Sequence, residues 1–425
     1  MDCQLDMFSP AQPAERSVED TATFGVTARD SKALPVHRWY RYVEGFSAQF
    51  IVSRLNVVRR SGGLVYDPFG GAGAVNVEAR KAGIRSSFTE LNPFMRWVTE
   101  TKTNAATHAR RRLAEVTKRT KDFSSYLRSK SFERQAANVN LSGYASAFPG
   151  RPIFEEQNLR LLLSAKAYVD SLSVDTHVRS LLTIAIAGTL VDCSNMTRRA
   201  DLRYRREGEY KDRIVDVASA ITSRLGDIVS DLHFPWLETE DVAFVNNNAR
   251  ALHAEAVNAI DNIITSPPYL NGTNYFRNTK IELWFFDYIK TERELPLFNL
   301  DCVAGGITSV TKARRSVYTN PQIEKIVRDL RATEGDGRIA TMVEMYFSDM
   351  FEVLRNCLLY LKSGGTMSLD IGDSKFYGVH VPTDLILANV ARDVGFAIQR
   401  RAIIARRHSR DKTPLSQVEL TLRRP

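Results

Sequence analysis

Two successive prolines end an apolar run in the segment IDNIITSPPYL. Proline has no backbone N–H and a fixed φ, so Pro267 and Pro268 cannot continue a central strand. They make the turn rigid and supply backbone carbonyls without competing donors. The hydroxyl of Ser266 and the ring of Tyr269 lie on either side of the two prolines. This stretch therefore brings hydrogen-bond acceptors and a flat aromatic face together at the end of a strand.

A second stretch with chemical potential is DPFGGAG, from Asp67 to Gly73. Its glycines allow a tight turn and a close approach of the backbone to a ligand, and the helix that follows offers free N–H groups. An ordinary connection between a strand and a helix has the same pattern. Two details favour a ligand site: Asp67 can accept from a ligand amine, and Glu90, at the end of the next strand, can accept both hydroxyls of a ribose. Because the triphosphate-binding pattern GxxxxGKS/T is missing, a nucleoside cofactor fits better than NAD or ATP.

Together these stretches resemble the motifs of the amino methyltransferases of DNA, which use S-adenosylmethionine to methylate the exocyclic nitrogen of cytosine or adenine. The family's cofactor motif has the form DPFxGxG, and the residues that match it are Asp67, Pro68, Phe69, Gly70, Gly71 and Gly73. Its next motif is an acid at the following strand end, matched by Glu90 in ELNP. Its catalytic motif has the form D/N/S, P, P, Y/F/W, and the matching residues are Ser266, Pro267, Pro268 and Tyr269. The resemblance covers residues 30 to 105 and 240 to 425.

The resemblance implies further contacts with the cofactor. In some members an aromatic residue ahead of the glycine loop packs against the methionine, which nominates Phe46 and also Phe50 here. An aspartate is common at the end of the third strand, where it contacts the adenine ring. This sequence has NNNAR there and offers Asn248, whose amide can still exchange hydrogen bonds with an adenine edge. The positive sulfonium already activates the methyl group, so no metal is expected.

The resemblance also implies a catalytic role for the SPPY stretch. An exocyclic amine is a poor nucleophile because its lone pair is delocalised into the ring. Backbone carbonyls at the proline turn, with the Ser266 hydroxyl, can accept the two amine hydrogens and aim the lone pair at the methyl group. Tyr269 provides a face on which a base flipped out of a duplex can stack. Serine at the first motif position favours N4 of cytosine, whereas aspartate or asparagine there is the usual form for N6 of adenine.

The elements that must hold these stretches alternate between strand and helix. Predicted strands end at Asp67 and Glu90, resume at VAFVNNN and IDNIIT, and continue with TMSLDIGD, FAIQRRAII and QVELTLRR. Predicted helices follow the glycine loop and ELNP, and the long helix MVEMYFSDMFEVLRNCLLYLKSGG is closed by glycines. The alternation predicts an α/β fold, and the resemblance implies a Rossmann-like class I methyltransferase with a mostly parallel twisted sheet.

The chain divides into four predicted regions. Residues 1–30 form an N-terminal arm, 31–106 the cofactor-binding half of the methyltransferase domain, 107–240 a helical insertion and 241–425 the catalytic half. The cofactor half opens with LPVHRWYRYVEGFSAQFIVSRLNVVRR, whose aromatic residues have roughly helical spacing and predict an inward-facing helix. The insertion is predicted from long amphipathic stretches such as FEEQNLRLLLSAKAYVDSL, where strand signals nearly vanish.

Basic residues cluster at one edge of the insertion. In the family this order of motifs places target recognition in the insertion, so the segment TRRADLRYRREGEYKDR predicts DNA contacts. The residues nominated are Arg198, Arg199, Arg203, Arg205 and Arg206. For any one such cluster, a solvated helix face is the better account. The alternative recognition segment lies around Lys312, Arg314 and Arg315.

Composition limits the remaining possibilities. The net charge of +9 favours a polyanionic partner, and 44% hydrophobic with 25% charged residues is typical of a soluble globular protein. The four cysteines are widely separated without a CxxC pair, which indicates neither a disulfide framework nor a zinc site. The N-terminal residues lack a signal-peptide pattern and no apolar run has the length of a membrane span, so a cytoplasmic location without membrane contact is expected.

Other functions stay open on sequence alone. Methylation of cytosine C5 needs a cysteine nucleophile, typically after proline, and the cysteines here follow Asp2, Asp192, Asp301 and Asn356, which disfavours that chemistry. An RNA methyltransferase and a catalytically silent subunit that binds nucleic acid remain alternatives. The basic insertion favours a polymeric substrate, intact motifs favour an enzyme, and the resemblance favours double-stranded DNA, with a cognate restriction nuclease as a possible partner.

Overall fold

The computed structural model describes residues 33–42, 47–61, 63–198, 201–210, 213, 215–234, 240–270, 274–311, 314–408 and 412–425. The strands are β1 (Leu64–Asp67), β2 (Arg85–Phe88), β3 (Met196–Arg198), β4 (Leu202–Tyr204), β5 (Ala243–Phe244), β6 (Ile260–Thr265), β7 (Leu361–Gly372), β8 (Ser374–Phe376), β9 (Val379–Val381), β10 (Ala397–His408) and β11 (Pro414–Arg423). The α-helices are α1 (Ala48–Ser61), α2 (Ala74–Lys81), α3 (Pro93–Glu100), α4 (Ala106–Arg110), α5 (Leu113–Tyr126), α6 (Lys130–Ala137), α7 (Ser142–Ala147), α8 (Glu156–Ser171), α9 (Thr176–Ala187), α10 (Val217–Leu232), α11 (Tyr275–Asn278), α12 (Lys280–Phe285), α13 (Pro321–Arg331), α14 (Arg338–Tyr360) and α15 (Thr383–Val394).

One large sheet organises the molecule, in the strand order β10-β11-β7-β6-β1-β2-β5. The five strands from β7 to β5 run parallel, and β11 is antiparallel to both of its neighbours. This arrangement confirms the predicted α/β fold with a mostly parallel sheet. The chain winds from β1 towards β2 on one side and later adds β6 and β7 on the other. The switch point between β1 and β6 is where open α/β sheets bind ligands, beyond the carboxyl ends of the strands.

Both faces of the sheet are covered. Successive side chains of a strand point to opposite faces, so Val65 packs with residues of α1 and α2 while Tyr66 packs with α14. The ring of Tyr66 meets that of Tyr360 edge to face with centroids 5.7 Å apart. Burial on both faces explains why consecutive side chains, Val65 and Tyr66 in β1 and Ile263 and Ile264 in β6, are buried without alternation. Among the residues that the structure describes, no helix has the length and apolar character needed to cross a membrane.

The aromatic segment ahead of β1 differs from its prediction. It makes a short 3₁₀ turn at His37–Trp39, and α1 begins only at Ala48. Asp231 of α10 collects hydrogen bonds from the Val36 N–H and the Trp39 indole, each at 2.8 Å. Val36 has φ 72°, a conformation that a β-branched residue rarely adopts. A buried carboxylate therefore fixes an irregular backbone where periodicity predicted a helix.

The long helix α14 also ends differently. Its last residue is Tyr360, and Leu361 is already extended. The glycines predicted to close the helix lie inside β7, where Gly364 has φ 77°. The helix and strand are thus joined without a loop.

From Leu113 to Leu232 the described chain is mostly helical. Helices α5 to α10 lie there, with one small antiparallel hairpin of β3 and β4. Their apolar side chains share a single cluster with Trp39, Phe94 and Ile281. These helices therefore pack directly against elements that precede and follow them in the chain.

Candidate active site

The two predicted motifs meet at the switch point of the sheet. Asp67 ends β1 and Thr265 ends β6, and these neighbouring parallel strands carry the glycine loop and the SPPY turn at their carboxyl ends. A cavity of about 380 Å³ opens between them. The predicted residues that line it are Asp67, Pro68, Phe69, Gly70, Gly71, Glu90, Asn248, Ser266, Pro267, Pro268 and Tyr269. The sheet topology thus brings together residues up to two hundred positions apart in the sequence.

Two predicted cofactor residues, Gly73 and Phe50, do not line the cavity. Gly73 is the N-cap of α2 and has a left-handed backbone with φ 76°, so it ends the glycine loop where the helix begins. Phe50 is buried in one apolar cluster with Val65 and Ile264, away from the cavity, which corrects its nomination. Phe46 lies outside the described residues.

The glycine loop is tight and requires its glycines. Gly70 donates its N–H to the Thr89 carbonyl at 2.9 Å, and a Cβ on Gly70 would lie 2.8 Å from the Phe88 ring. Gly71 has φ 52° and donates its N–H to Glu90 Oε2 at 2.7 Å. A side chain at Gly70 would displace Phe88 from the core of the sheet. The loop backbone therefore forms a close-fitting wall of the cavity.

Asp67 ties the two motifs to each other. Its Oδ1 accepts the hydroxyl of Thr265 at 2.7 Å and the Phe69 N–H at 3.0 Å. The residue is 1% exposed, and burial raises the pKa of its carboxyl to about 7. This carboxyl is therefore held ready to change its charge when a cation approaches from the cavity.

Glu90 lines the same cavity as Asp67. Its two oxygens accept the N–H groups of Gly71 and Asn92, each at 2.7 Å, which fixes the carboxyl plane. Each carboxylate oxygen retains a further lone pair for a ligand hydroxyl. Burial raises the pKa of Glu90 to about 7. The ELNP pattern thus has a local reason: Asn92 caps α3 with Pro93 at its first position, so the chain turns into a helix directly after the acid.

Asn248 has an acidic partner that the sequence did not reveal. Its Nδ2 donates to Asp301 Oδ1 at 2.9 Å, and its Oδ1 accepts the Arg250 N–H at 3.0 Å. Asp301 lines the same cavity and is solvent-exposed. It follows the 3₁₀ segment Glu292–Leu300, in a stretch without periodicity or motif. A carboxylate is therefore present beside the position where the sequence offered only an amide.

The SPPY turn is supported from outside by a glycine. A Cβ on Gly305 would lie 2.9 Å from the Tyr269 carbonyl oxygen and 3.4 Å from Pro268 Cβ. Ser266 is half-buried on the cavity wall, and its backbone follows directly from β6. The phenol of Tyr269 contacts Asp370 and Gln417, which also line the cavity. None of these three supporting residues belongs to a motif.

A buried lysine joins the glycine loop to the N-terminal segment. Lys102 lies on a π-helical turn, Thr101–Ala105, between α3 and α4. Its Nζ donates to the carbonyls of Tyr40 at 2.9 Å and Ala72 at 3.4 Å, and burial lowers its pKa to about 7. Such π turns recur at functional sites because they redirect one side chain. His37, predicted to be structural, is buried beside this lysine and hydrogen-bonds Glu78 at 2.6 Å.

The arginines predicted to contact DNA are not on one surface. Arg198 is a correction: it is buried, forms an ion pair with Glu282 at 2.7 Å and donates to the Tyr40 hydroxyl at 3.0 Å. Burying that guanidinium is tolerable only because a carboxylate is buried with it. Arg203 pairs with Glu209 at 2.8 Å. Arg205 is half-buried, Arg206 is exposed, and Arg199 lies outside the described residues.

The basic residues of the alternative segment also differ in their surroundings. Arg314 forms an ion pair with Asp349 and donates to the Cys302 carbonyl at 2.8 Å, so it supports the cavity wall. Arg315 is exposed, and Lys312 lies outside the described residues. Arg41, which no motif nominated, is exposed and lines the cavity.

Comparison with known proteins points in the same direction as the geometry. No family model matches the chain. It is 25% identical over 411 residues to the type II methyltransferase M.AvaI of a Nostoc sp. and of Anabaena variabilis, covering 89% of this chain and 83% of the relative. It is 23% identical over 442 residues to the type II methyltransferase M.BsoBI of Geobacillus stearothermophilus, covering 89% and 82%. All of these relatives are methyltransferases. The likeness spans nearly the whole chain and supports the methyltransferase class predicted from the two motifs.

Proposed function

We propose that this protein is a DNA methyltransferase that transfers a methyl group from S-adenosylmethionine to N4 of cytosine in double-stranded DNA. The observation that carries the proposal is the meeting of the glycine loop and the SPPY turn in one cavity at the switch point of the sheet. The methyltransferase names of its relatives support the reaction class. The serine of SPPY favours cytosine over adenine.

The cavity has the features that S-adenosylmethionine requires. A Cβ at Gly70 would clash with Phe88, and a side chain at Gly71 would strain its left-handed backbone. Without these side chains the backbone can approach the ligand closely. Glu90 offers a carboxylate for the ribose hydroxyls, and Asp67 offers one for the amine of the methionine part. The Asn248 and Asp301 pair supplies a donor and an acceptor for the adenine edge. A volume of about 380 Å³ is within the range of small-molecule sites.

The chemistry is divided simply between cofactor and protein. S-adenosylmethionine supplies a methyl group activated by the positive sulfonium. The hydroxyl of Ser266 and the carbonyls of the proline turn accept the hydrogens of the target amine and orient its lone pair. Tyr269 stacks on the base after it leaves the duplex. Holding the amine in an attacking geometry is the protein's main contribution to the rate.

Nucleoside analysis tests this function directly. Unmethylated DNA is incubated with the purified protein and the cofactor, then digested and examined by mass spectrometry for methylated bases. N4-methylcytosine is the expected product. N6-methyladenine would retain the mechanism and overturn the assigned base. Absence of any methylated base, with cofactor binding shown by calorimetry, would redirect the search to RNA or to a partner subunit.

Ser266→Ala separates catalysis from binding. The variant is expected to keep its affinity for the cofactor and to lose turnover, because only the target amine contacts the hydroxyl. Equal loss of both would show that the motif is structural. DNA methylated by the wild-type protein can also be challenged with restriction nucleases, since protection from one of them would identify the kind of nuclease that such an enzyme accompanies.

A further inference from the structure

Tyr269 is held by two residues from neighbouring strands at the far side of the cavity. Its hydroxyl donates to Asp370 Oδ1 at 3.1 Å and accepts from Gln417 Nε2 at 3.1 Å. Gln417 Nε2 also lies 2.8 and 2.9 Å from the two oxygens of Asp370. Asp370 belongs to β7 and Gln417 to β11, which pair antiparallel. The three side chains form a closed triangle of hydrogen bonds on the cavity wall.

Burying the carboxylate of this triangle costs folding free energy. Asp370 is 0% exposed, and a carboxylate withdrawn from water needs donors that point at it. Two of those donors are the Tyr269 phenol and the Gln417 amide. An apolar residue would satisfy the packing of β7 more simply, so the acid indicates a role outside stability.

We propose that Asp370 and Gln417 are positioning residues that fix the plane of the Tyr269 ring, and through it the orientation of the stacked target base. The inference rests on the proposed function and deepens it. A ring anchored only by its backbone can turn about two side-chain bonds, whereas a ring pinned at its hydroxyl cannot. Because transfer requires the amine to be aligned with the methyl group, a small tilt of the base lowers the rate.

The same geometry accounts for the choice of aromatic residue. The family pattern accepts tyrosine, phenylalanine or tryptophan at this position, because each has a face for stacking. In this chain only tyrosine presents a hydroxyl to Asp370 and Gln417. The hydroxyl is therefore part of the catalytic geometry here, and stacking area alone does not describe the role of Tyr269.

A double-mutant cycle tests the proposal: Tyr269→Phe, Gln417→Met and the two combined, each in the full-length protein. We expect each single variant to lower kcat on DNA by about 10- to 100-fold, the effect of a misplaced reacting group. The double variant should be no slower than the worse single variant, since both changes release the same ring. Affinity for S-adenosylmethionine should stay near the wild-type value, whereas the melting temperature should fall because each change removes a donor from the buried Asp370 carboxylate. Matched controls are Tyr377→Phe, at an exposed tyrosine, and Gln399→Met, at an exposed glutamine of β10.

A fluorescent cytosine analogue at the target position adds a geometric readout. Stacking on Tyr269 quenches it in the wild-type complex, and the single variants should show weaker quenching with unchanged DNA affinity. A Tyr269→Phe variant with full kcat, or losses that multiply in the double variant, would overturn the positioning role while the methyltransferase proposal stands. A wild-type protein that binds the cofactor but methylates neither DNA nor RNA would overturn both.

Discussion

Asp67 and Glu90 are two acids that face one cavity from the ends of adjacent strands, and burial raises the pKa of both to about 7. Near neutral pH each is partly protonated in the free protein. Binding a ligand amine at Asp67, or ribose hydroxyls at Glu90, favours the carboxylate and therefore releases protons. We expect the affinity for S-adenosylmethionine to rise between pH 6 and 8 by about tenfold for each acid, and to level off above. Calorimetry across this pH range measures the effect.

Single substitutions assign that pH dependence to its source. Asp67→Asn and Glu90→Gln should each weaken binding and remove one part of the slope, leaving the other. The exposed Asp287→Asn serves as a control that keeps the full slope. An affinity that is independent of pH in the wild-type protein would contradict the assignment of these two carboxyls to the cofactor.

Asp301 carries a second prediction about single residues. Asp301→Ala should reduce cofactor affinity by about tenfold, since a charge-assisted hydrogen bond to the adenine amine is worth about 1.5 kcal/mol or more. Asn248→Ala should have a similar effect, and the double variant should be less than additive because the two side chains hydrogen-bond each other. Binding of S-adenosylhomocysteine gives the same readout without turnover. Unchanged affinity in Asp301→Ala would leave adenine recognition to Asn248 alone.

Of these three acids, Asp67 and Glu90 could be predicted from the sequence and Asp301 could not. Asp67 and Glu90 were predictable because each follows a strand signal within a compact motif. Asp301 was not, because its partner Asn248 is 53 positions away and the intervening chain has no regular period. Contacts of that kind depend on where an irregular segment folds back, which local propensity does not encode.

At the scale of elements, the SPPY turn depends on a segment that only the tertiary structure brings to it. Gly305 abuts the carbonyl of Tyr269, and the adjoining Ala304 N–H is fixed by Asp349 of α14 at 2.9 Å. Helix α14 thus holds the Gly305 segment, and that segment supports the turn. The positions of the strands along the chain were predictable from their apolar runs, whereas this support was not.

Gly305→Ala tests whether the Gly305 segment supports the SPPY turn. The added Cβ would approach the Tyr269 carbonyl oxygen to 2.9 Å, so the turn must shift. We expect kcat to fall by roughly 10- to 100-fold, with cofactor affinity unchanged. Gly226→Ala on the exposed face of α10 is the matched control, because its Cβ meets nothing within 4 Å. That control should keep full activity and gain up to about 1 kcal/mol in the free energy of unfolding.

At the scale of the whole molecule, helices α5 to α10 share one apolar core with Trp39, Phe94 and Ile281. Arg198 of β3 contacts Glu282 of α12 and the Tyr40 hydroxyl, so it joins the β3–β4 hairpin, α12 and the segment ahead of β1. Composition identified this region as basic, and periodicity identified it as helical. Neither distinguishes an arginine that stabilises an interface from one that meets a partner, because that distinction depends on which carboxylates are buried nearby.

Arg198 and Arg206 should therefore respond in opposite ways to substitution. Arg198→Met leaves the Glu282 carboxylate buried without its ion pair, which should lower the free energy of unfolding by roughly 3–5 kcal/mol. DNA binding by the folded fraction should keep its dependence on salt. Arg206→Ala should leave the melting temperature unchanged, weaken DNA binding and reduce the slope of log affinity against log salt by about 1.

Thermal unfolding and DNA titrations between ~50 and ~200 mM salt provide the measurements for both variants. Arg328→Ala, at an exposed arginine of α13, controls for the loss of one surface charge and should leave the salt slope unchanged. A salt slope unaffected in Arg206→Ala but reduced in Arg315→Ala would move the DNA contact from the insertion to the segment beside the cavity. Because Arg314 of that segment already supports the cavity wall, recognition and catalysis would then be coupled through one short stretch of chain.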